Sequence, residues 1–351
     1  MTAPSVTLES RIKGAIFGVA VADALGGPVE FQRRGSFSPV TDYEANMNFG
    51  LPPGAWTDDT SMTLCLAQSL IAARAFDPVS QLQNYIAWQS RGYLSSVDRC
   101  FDIGNLTRIT LSFWSRHIPP KPNSSTTTAS TPTAAAAPTA EALASLQQDL
   151  NRSYKRSAFC GNGSLMRTVP IGLFFHSSPP STIAAHAHAA SELTHPHPAN
   201  GEACAVYSIL VASILSPPSP SSATTTIDKP ALFAIFKSFV FTEDSLRTRF
   251  APYSSIEDFS TRSVDQISSS GYVVHSLEAA LWAFFTTDDW ATGCLKVVNL
   301  GDDADTVAAI YGGLAGAYYG LEAIPARWRD GLLKSNVVAE IANDLSRVIV
   351  G

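Results

Sequence analysis

Two short segments of this chain set carboxylates and hydroxyls side by side: Thr57-Asp58-Asp59-Thr60 and Asp302-Asp303-Ala304-Asp305-Thr306. Each runs into an apolar stretch, so each reads as the first turn of a helix. Aspartate and threonine accept hydrogen bonds from orphan N–H groups there, and negative charge suits the positive end of the helix dipole. Capping explains either segment alone. It does not explain the pair, because adjacent carboxylates repel and the repulsion grows as water is excluded. Aspartates gathered in this way against apolar helices require a cation. The donors are all oxygen, which suits hard ions such as Mg2+, Mn2+ or Ca2+ and suits zinc poorly. Two such clusters are enough to share a pair of ions about 4 Å apart. Spacing alone does not bring the two segments together in space.

Other residue groups invite a chemical reading. Gly161-Asn162-Gly163-Ser164 is a glycine-rich loop ahead of an expected helix; its backbone N–H groups could approach phosphate oxygens, or the loop is an ordinary turn. Glu30 follows a proline and is either a site acid or a surface acid after a turn. Asp102, in Asp102-Ile103-Gly104-Asn105, is equally suited to turn formation. His186, His188, His195 and His197 crowd a short stretch, but their spacing is no recognised ligand pattern and the prolines among them fit a loop. Asp23 is a lone acid inside an apolar helix and is read as structural or as supporting the site from behind.

The elements that must position these groups read as helices. Apolar-rich helical segments are expected at 10–26, 59–75, 78–90, 181–193, 200–215, 230–240, 272–287 and 305–320. Asp77-Pro78 is an N-cap followed by an N1 proline. Gly14, Gly18 and Ala22 are spaced by four, as are Gly312, Gly316 and Gly320, a device for close helix packing. Period-two alternation is hard to find, and no solenoid-length repeat is evident. The expected fold is one compact all-α domain over residues 8–350. Two stretches rich in Ser, Thr, Pro and Ala, 118–140 and 216–226, read as disordered surface insertions that lengthen loops at little thermodynamic cost.

Bulk properties bound the function. Hydrophobic residues at 45% supply a core, and a net charge of −6 argues against a general nucleic-acid binder, which needs a basic face. Five cysteines without a C-x-x-C pair read as free thiols in a reducing compartment. The N-terminus does not read as a signal peptide, and no uninterrupted apolar run reaches the roughly 20 residues of a membrane span. A soluble cytoplasmic protein is expected, with the nucleus as the alternative.

Taken in order, the chain resembles the ADP-ribosylglycohydrolase family, which includes dinitrogenase reductase-activating glycohydrolase and the ADP-ribosyl-acceptor hydrolases. The resemblance is carried by GAIFG at 14–18, DALGGPVEF at 23–31, WTDDTSMTL from Trp56, FDIGNLT at 101–107, GNGSLMRTVPIG at 161–172, LTHPHP at 193–198, GYVVHSLEAALWAF at 271–284 and GDDADTVAAIYGGLAGAYYG at 301–320. It covers the chain outside the two inserts.

The resemblance implies a compact orthogonal helical bundle holding two Mg2+ ions, with Mn2+ as the alternative. It implies Thr57, Asp58, Asp59, Asp303, Asp305 and Thr306 as metal ligands. Asp302, where many relatives have glycine, is expected to stay off the metals. Glu30, Asp58, Asp305 and Asp102 form the implied catalytic set, with Asp102 placed to meet the guanidinium of ADP-ribosylated arginine. Gly161, Asn162, Gly163, Ser164, His195 and Tyr272 are the implied substrate contacts, Tyr272 being either part of an adenine pocket or core. The implied activity is hydrolysis of the bond joining ADP-ribose to an acceptor, first of all arginine, in a modified protein or small-molecule conjugate. O-linked acceptors (serine or O-acetyl) and a non-catalytic ADP-ribose binder are the alternatives. A monomer is expected.

Overall fold

In a computed structural model, which describes residues 6–120, 137–216 and 227–351, the chain is helical, and β-structure among these residues is confined to two isolated bridges, Asn46–Leu51 and Gly161–Tyr272. The helices are α1 (Leu8–Gly26), α2 (Asp58–Ala73), α3 (Pro78–Arg91), α4 (Asn105–Trp114), α5 (Ala140–Tyr154), α6 (Val169–Phe174), α7 (Pro180–Glu192), α8 (Pro198–Leu215), α9 (Lys229–Ser238), α10 (Asp244–Phe250), α11 (Glu257–Ser260), α12 (Val273–Thr286), α13 (Trp290–Val298), α14 (Ala304–Tyr319), α15 (Ala326–Gly331) and α16 (Ser335–Val350). Each helix expected from the sequence is present, its ends moved by at most two residues. The remaining helices are mostly short or present a narrow apolar stripe. In α16 that stripe is Val338, Ile341, Ala342 and Leu345, buried at helical spacing.

The all-α expectation holds, and the caps explain several ends. Asp77 accepts from the N–H groups of Val79 at 2.9 Å and Ser80 at 3.2 Å, with Pro78 at the first helical position. The insert expected at 118–140 is shorter at both edges: Ile118 is buried, and Thr139 caps α5. Residues 121–136 of that stretch, and 217–226 of the other, lie outside the described residues.

Helices α1 and α14 form the antiparallel centre of the bundle. A Cβ on Gly18 would lie 2.1 Å from the carbonyl oxygen of Gly312, and one on Gly312 would lie 2.1 Å from that of Gly18. Gly14 and Gly316 meet in the same way. Only glycine lets the two backbones approach this closely. Gly320 departs from the expected stripe: it ends α14 at φ +84° and faces Val6 and Ser10. At the other end a Cβ on Gly26 would strike the Asp305 backbone at 2.4 Å. The C-terminal end of α1 is thereby fixed against the first turn of α14, and Asp23 and Glu30 are carried toward the second acidic cluster.

Two segments, Leu8–Val29 and Pro198–Leu215, are long and apolar enough by composition to cross a membrane, but 89% of the most apolar 18 residues of each is buried inside the protein. They are central helices of a core that runs from Ile12 to Leu345. All five cysteines are free thiols.

Candidate active site

The two acidic clusters meet. Asp59 opens α2 and Thr306 lies in the first turn of α14, yet the Thr306 hydroxyl is 3.4 Å from Asp59 Oδ2, across 247 residues of sequence. Thr57 Oγ1 lies 3.0 Å from the same oxygen.

Simple capping is not what these residues do. Neither Thr57 nor Asp303, the N-cap residues of α2 and α14, makes a side-chain cap hydrogen bond. The cap of α2 comes from Asp23, one turn from the end of α1. Its carboxylate accepts from the backbone N–H of Thr57 at 3.0 Å and of Thr60 at 3.0 Å, and from the Thr60 hydroxyl at 2.5 Å. Thr57 Oγ1 is 2.9 Å away. With α2 capped from outside, Asp58 and Asp59 are free for other partners. Sequence reasoning read Asp23 as structural or as supporting the site from behind and left it out of the catalytic set. Its signal was being the lone charge between Lys13 and Glu30.

Carboxylate oxygens of Asp23, Asp59 and Asp305 lie within 4.8 Å of one another, and so do those of Glu30, Asp102 and Asp305. Asp305 joins the two groups. Asp58, Asp59, Glu30 and Asp305 are almost fully buried. Burial first, and then mutual repulsion, pushes the carboxyls of Asp58, Asp59, Asp305 and Glu30 far above the usual range. Asp102 is raised to about 7, chiefly by burial and less strongly by Asp23 and Asp303, while a hydrogen bond with Glu30 works against the rise. Asp303 is raised to about 6 by burial, although Asn162 Nδ2 donates to its Oδ2 at 2.5 Å.

Three buried oxygens here, Glu30 Oε2, Asp59 Oδ1 and Asp102 Oδ2, have no hydrogen-bond partner among the described residues. Buried, unpaired carboxylate oxygens are costly. A hard divalent cation would satisfy them, so the donor set fits the metal that the sequence implied. Asp302 stands apart: it is exposed, at φ +55°, where glycine is easily accommodated and aspartate tolerated.

Five of the carboxylates line a cleft of about 630 Å3, which is of ligand size. Glu30, Asp58, Asp102, Asp303, Asp305 and Thr306 line it, together with Gly161, Asn162, Gly163 and His195. Thr57 and Asp59 lie behind this lining. Phe31, Phe49, Thr107 and Met166 complete the walls, and sequence reasoning assigned them no role.

The glycine loop is held by Asn200, which donates to the Gly161 carbonyl at 2.5 Å, and by the N–H of Asn162, which donates to Gly271 at 3.0 Å. Gly163 lies beside the Cε1–Nε2 edge of the His195 ring, where a Cβ would come within 2.9 Å. The loop does not open a helix as expected, because α6 begins only at Val169. The first turn of α4, Asn105 to Thr107, lines the cleft instead, and its N-cap Gly104 has no side chain to occupy the N–H groups.

Two expected substrate contacts lie elsewhere. The Ser164 hydroxyl is buried against Ser191 at 2.8 Å and faces the core. The Tyr272 backbone bridges Gly161, but its ring packs edge-on against His275 and lines a separate cavity with Arg249 and Glu278. The histidines are dispersed, as their spacing implied: His186 stacks on Phe175, and His197 caps α8.

The family model for ADP-ribosylglycohydrolase matches residues 4–351. An ADP-ribosylarginine hydrolase Tri1 of Serratia proteamaculans is 31% identical over 98% of this chain and 82% of its own length. Its counterpart from Pseudomonas putida is 33% identical over 95% of this chain and 77% of its own length. ADP-ribosyl-[dinitrogen reductase] glycohydrolase of Rhodospirillum rubrum is 29% identical over 93% and 91%. A solved ADP-ribosylglycohydrolase-related protein complex superposes with a TM-score of 0.72 at 32% identity, covering 97% of this chain and 98% of that one. With the acidic clusters joined across one cleft and the match running through nearly every residue, the chain belongs to the ADP-ribosylglycohydrolase family.

Proposed function

We propose that this protein hydrolyses the N-glycosidic bond between ADP-ribose and the guanidinium of an arginine side chain in a modified protein. Two Mg2+ ions, replaceable by Mn2+, would be held by Thr57, Asp58 and Asp59 from one cluster and Asp303, Asp305 and Thr306 from the other. The observation that carries the reading is the convergence of these clusters at the cleft, with buried carboxylate oxygens lacking partners among the described residues. The relatives named for arginine hydrolysis supply the choice of linkage.

When bound, the ions would supply Lewis acidity toward the ribose hydroxyls and water. The protein groups do the rest. Asp102 accepts charge-assisted hydrogen bonds from the guanidinium and holds the leaving group in place. The charge of the bound ions would hold Glu30 ionised against its burial, and its Oε2, which meets no partner among the described residues and lies by Asp102 and Asp305, then takes a proton from the attacking water. The C1–N bond breaks as the C1–O bond to water forms; the cationic guanidinium of the substrate departs as neutral guanidine and takes up the proton that water gave to Glu30, leaving as arginine. The open N–H groups at the start of α4, beside the 161–163 loop, receive the diphosphate, which the acidic residues would otherwise repel.

The test is product release from matched arginine-linked and serine-linked ADP-ribosyl peptides, with Mg2+ and with EDTA. Metal-dependent release from the arginine peptide alone is expected. Release from the serine peptide alone would overturn the linkage, and no release from either would overturn the hydrolase reading.

A further inference from the structure

We propose that Arg167 and Thr194 are positioning residues that lock His195 as a neutral ring carrying its proton on Nε2, so that the cleft presents a fixed donor to an oxygen of bound ADP-ribose. The ligand half of this inference rests on the function proposed above, and the tautomer half does not.

The argument is one of donors and acceptors. Arg167 is 1% exposed. Its guanidinium lies over the Tyr85 ring at 4.6 Å, touches Met62 Sδ at 3.6 Å and donates to Thr194 Oγ1 at 2.5 Å. A guanidinium has donors and no acceptor, so the Thr194 oxygen must accept from it. The single hydroxyl proton of Thr194 then points elsewhere. His195 Nδ1 is 2.8 Å away and is, among the described residues, the acceptor within its reach. With Nδ1 accepting, the neutral ring carries its proton on Nε2.

Two physical effects keep the ring neutral. Burial disfavours imidazolium, and so does the neighbouring Arg167 charge; both push the ring well below its ordinary value. Nε2 meets no hydrogen-bond partner among the described residues. It lies 3.0 Å from where a Cβ on Gly163 would sit, so the glycine leaves this edge of the ring clear at the cleft wall. In an acidic cleft an ordinary histidine would gain a proton as pH falls. This one keeps the same donor throughout, suited to a phosphate or hydroxyl oxygen.

The test reads the tautomer directly, from ring 15N shifts of 15N-histidine-labelled protein with His195 assigned by its loss in His195→Gln. The expected result is a protonated Nε2 and a bare Nδ1, unchanged between about pH 6 and pH 8. A proton on Nδ1, or titration near the ordinary histidine value, would overturn the lock. Thr194→Val should mix the tautomers and weaken ADP-ribose binding in Mg2+ about tenfold, the loss of one hydrogen bond, and Thr194→Ser should restore both. A Thr194→Val protein that keeps the Nε2–H tautomer would also overturn it. A wild-type protein with the expected tautomer that does not bind ADP-ribose would support the lock and overturn the function it serves.

Discussion

Asp23 and Thr60 are joined twice, backbone N–H to carboxylate at 3.0 Å and hydroxyl to carboxylate at 2.5 Å, so an acid on α1 caps α2. The same carboxylate holds Thr57, and through it the first cluster. Asparagine at position 23 offers one acceptor oxygen where aspartate offers two, and it brings no charge. Groups behind metal ligands typically change metal affinity by about 10–100-fold when altered. Asp23→Asn is therefore expected to raise the Mg2+ concentration for half-maximal hydrolysis by about tenfold or more, with the helical circular-dichroism spectrum retained. An unchanged Mg2+ titration would mean that Asp23 serves the fold alone.

The acidic site makes the metal-free protein sensitive to pH. Asp23 and Asp303 are raised to about 6 and Asp102 to about 7, in each case chiefly by burial. A carboxyl raised in the folded state makes the native chain bind more protons than the unfolded one. Its contribution is therefore present at low pH and lost as pH rises through the folded value. Buried His195, and the partly buried His176, His188 and His275, are held below the ordinary value and oppose this trend, but their unfolded rings have lost about half their proton by pH 6.5, so each offsets less than a carboxyl that titrates fully above it. Thermal unfolding in EDTA should thus show a lower Tm at about pH 8 than at about pH 6.5. Mg2+ at 100 times its Kd should stabilise by about 2.7 kcal/mol, and more of this gain should appear at the higher pH, where the ligands are charged. A Tm indifferent to both pH and Mg2+ would remove the cation from the account.

The sequence carried the helices with broad apolar faces and the two acid clusters, because helix periodicity and charge repulsion are local properties. It did not carry which ends meet. That depends on Gly18 and Gly312 touching across the bundle, a relationship between segments almost 300 residues apart in this 351-residue chain. Ser164 and Tyr272 show the same limit. Ser164 follows three residues that line the cleft and Tyr272 bridges one of them, Gly161, but the side chain of one turns to the core and that of the other to a separate cavity. Asp302 is exposed, and its left-handed backbone supplies the physical reason that glycine suits the position.

The glycine contact can be tested by filling it. A methyl group on Gly312 would sit 2.1 Å from the Gly18 carbonyl oxygen and 2.7 Å from Ala22 Cβ, and neither backbone can yield without moving its helix. Overpacking of this kind costs about 1–3 kcal/mol. Gly312→Ala is expected to lower the urea midpoint accordingly. Separating α1 from α14 also pulls Glu30 and Asp23 away from Asp305, so activity should fall further than the folded fraction does. Loss of stability with full activity per folded molecule would show that the helix contact does not set the site geometry.

Asp102 is where the choice of leaving group can be separated from metal binding. Its carboxylate lies with those of Glu30 and Asp305, at φ +58° on the loop that leads into α4, and its Oδ2 has no partner among the described residues. If it meets the guanidinium, Asp102→Asn loses a charge-assisted hydrogen bond worth about 2 kcal/mol, roughly thirtyfold in kcat/KM for the arginine-linked peptide. Product ADP-ribose carries no guanidinium, so its affinity in Mg2+ should stay within about threefold of wild type. A parallel loss of ADP-ribose affinity would place Asp102 on the metals or the ribose, and an unchanged kcat/KM would make it a turn residue only.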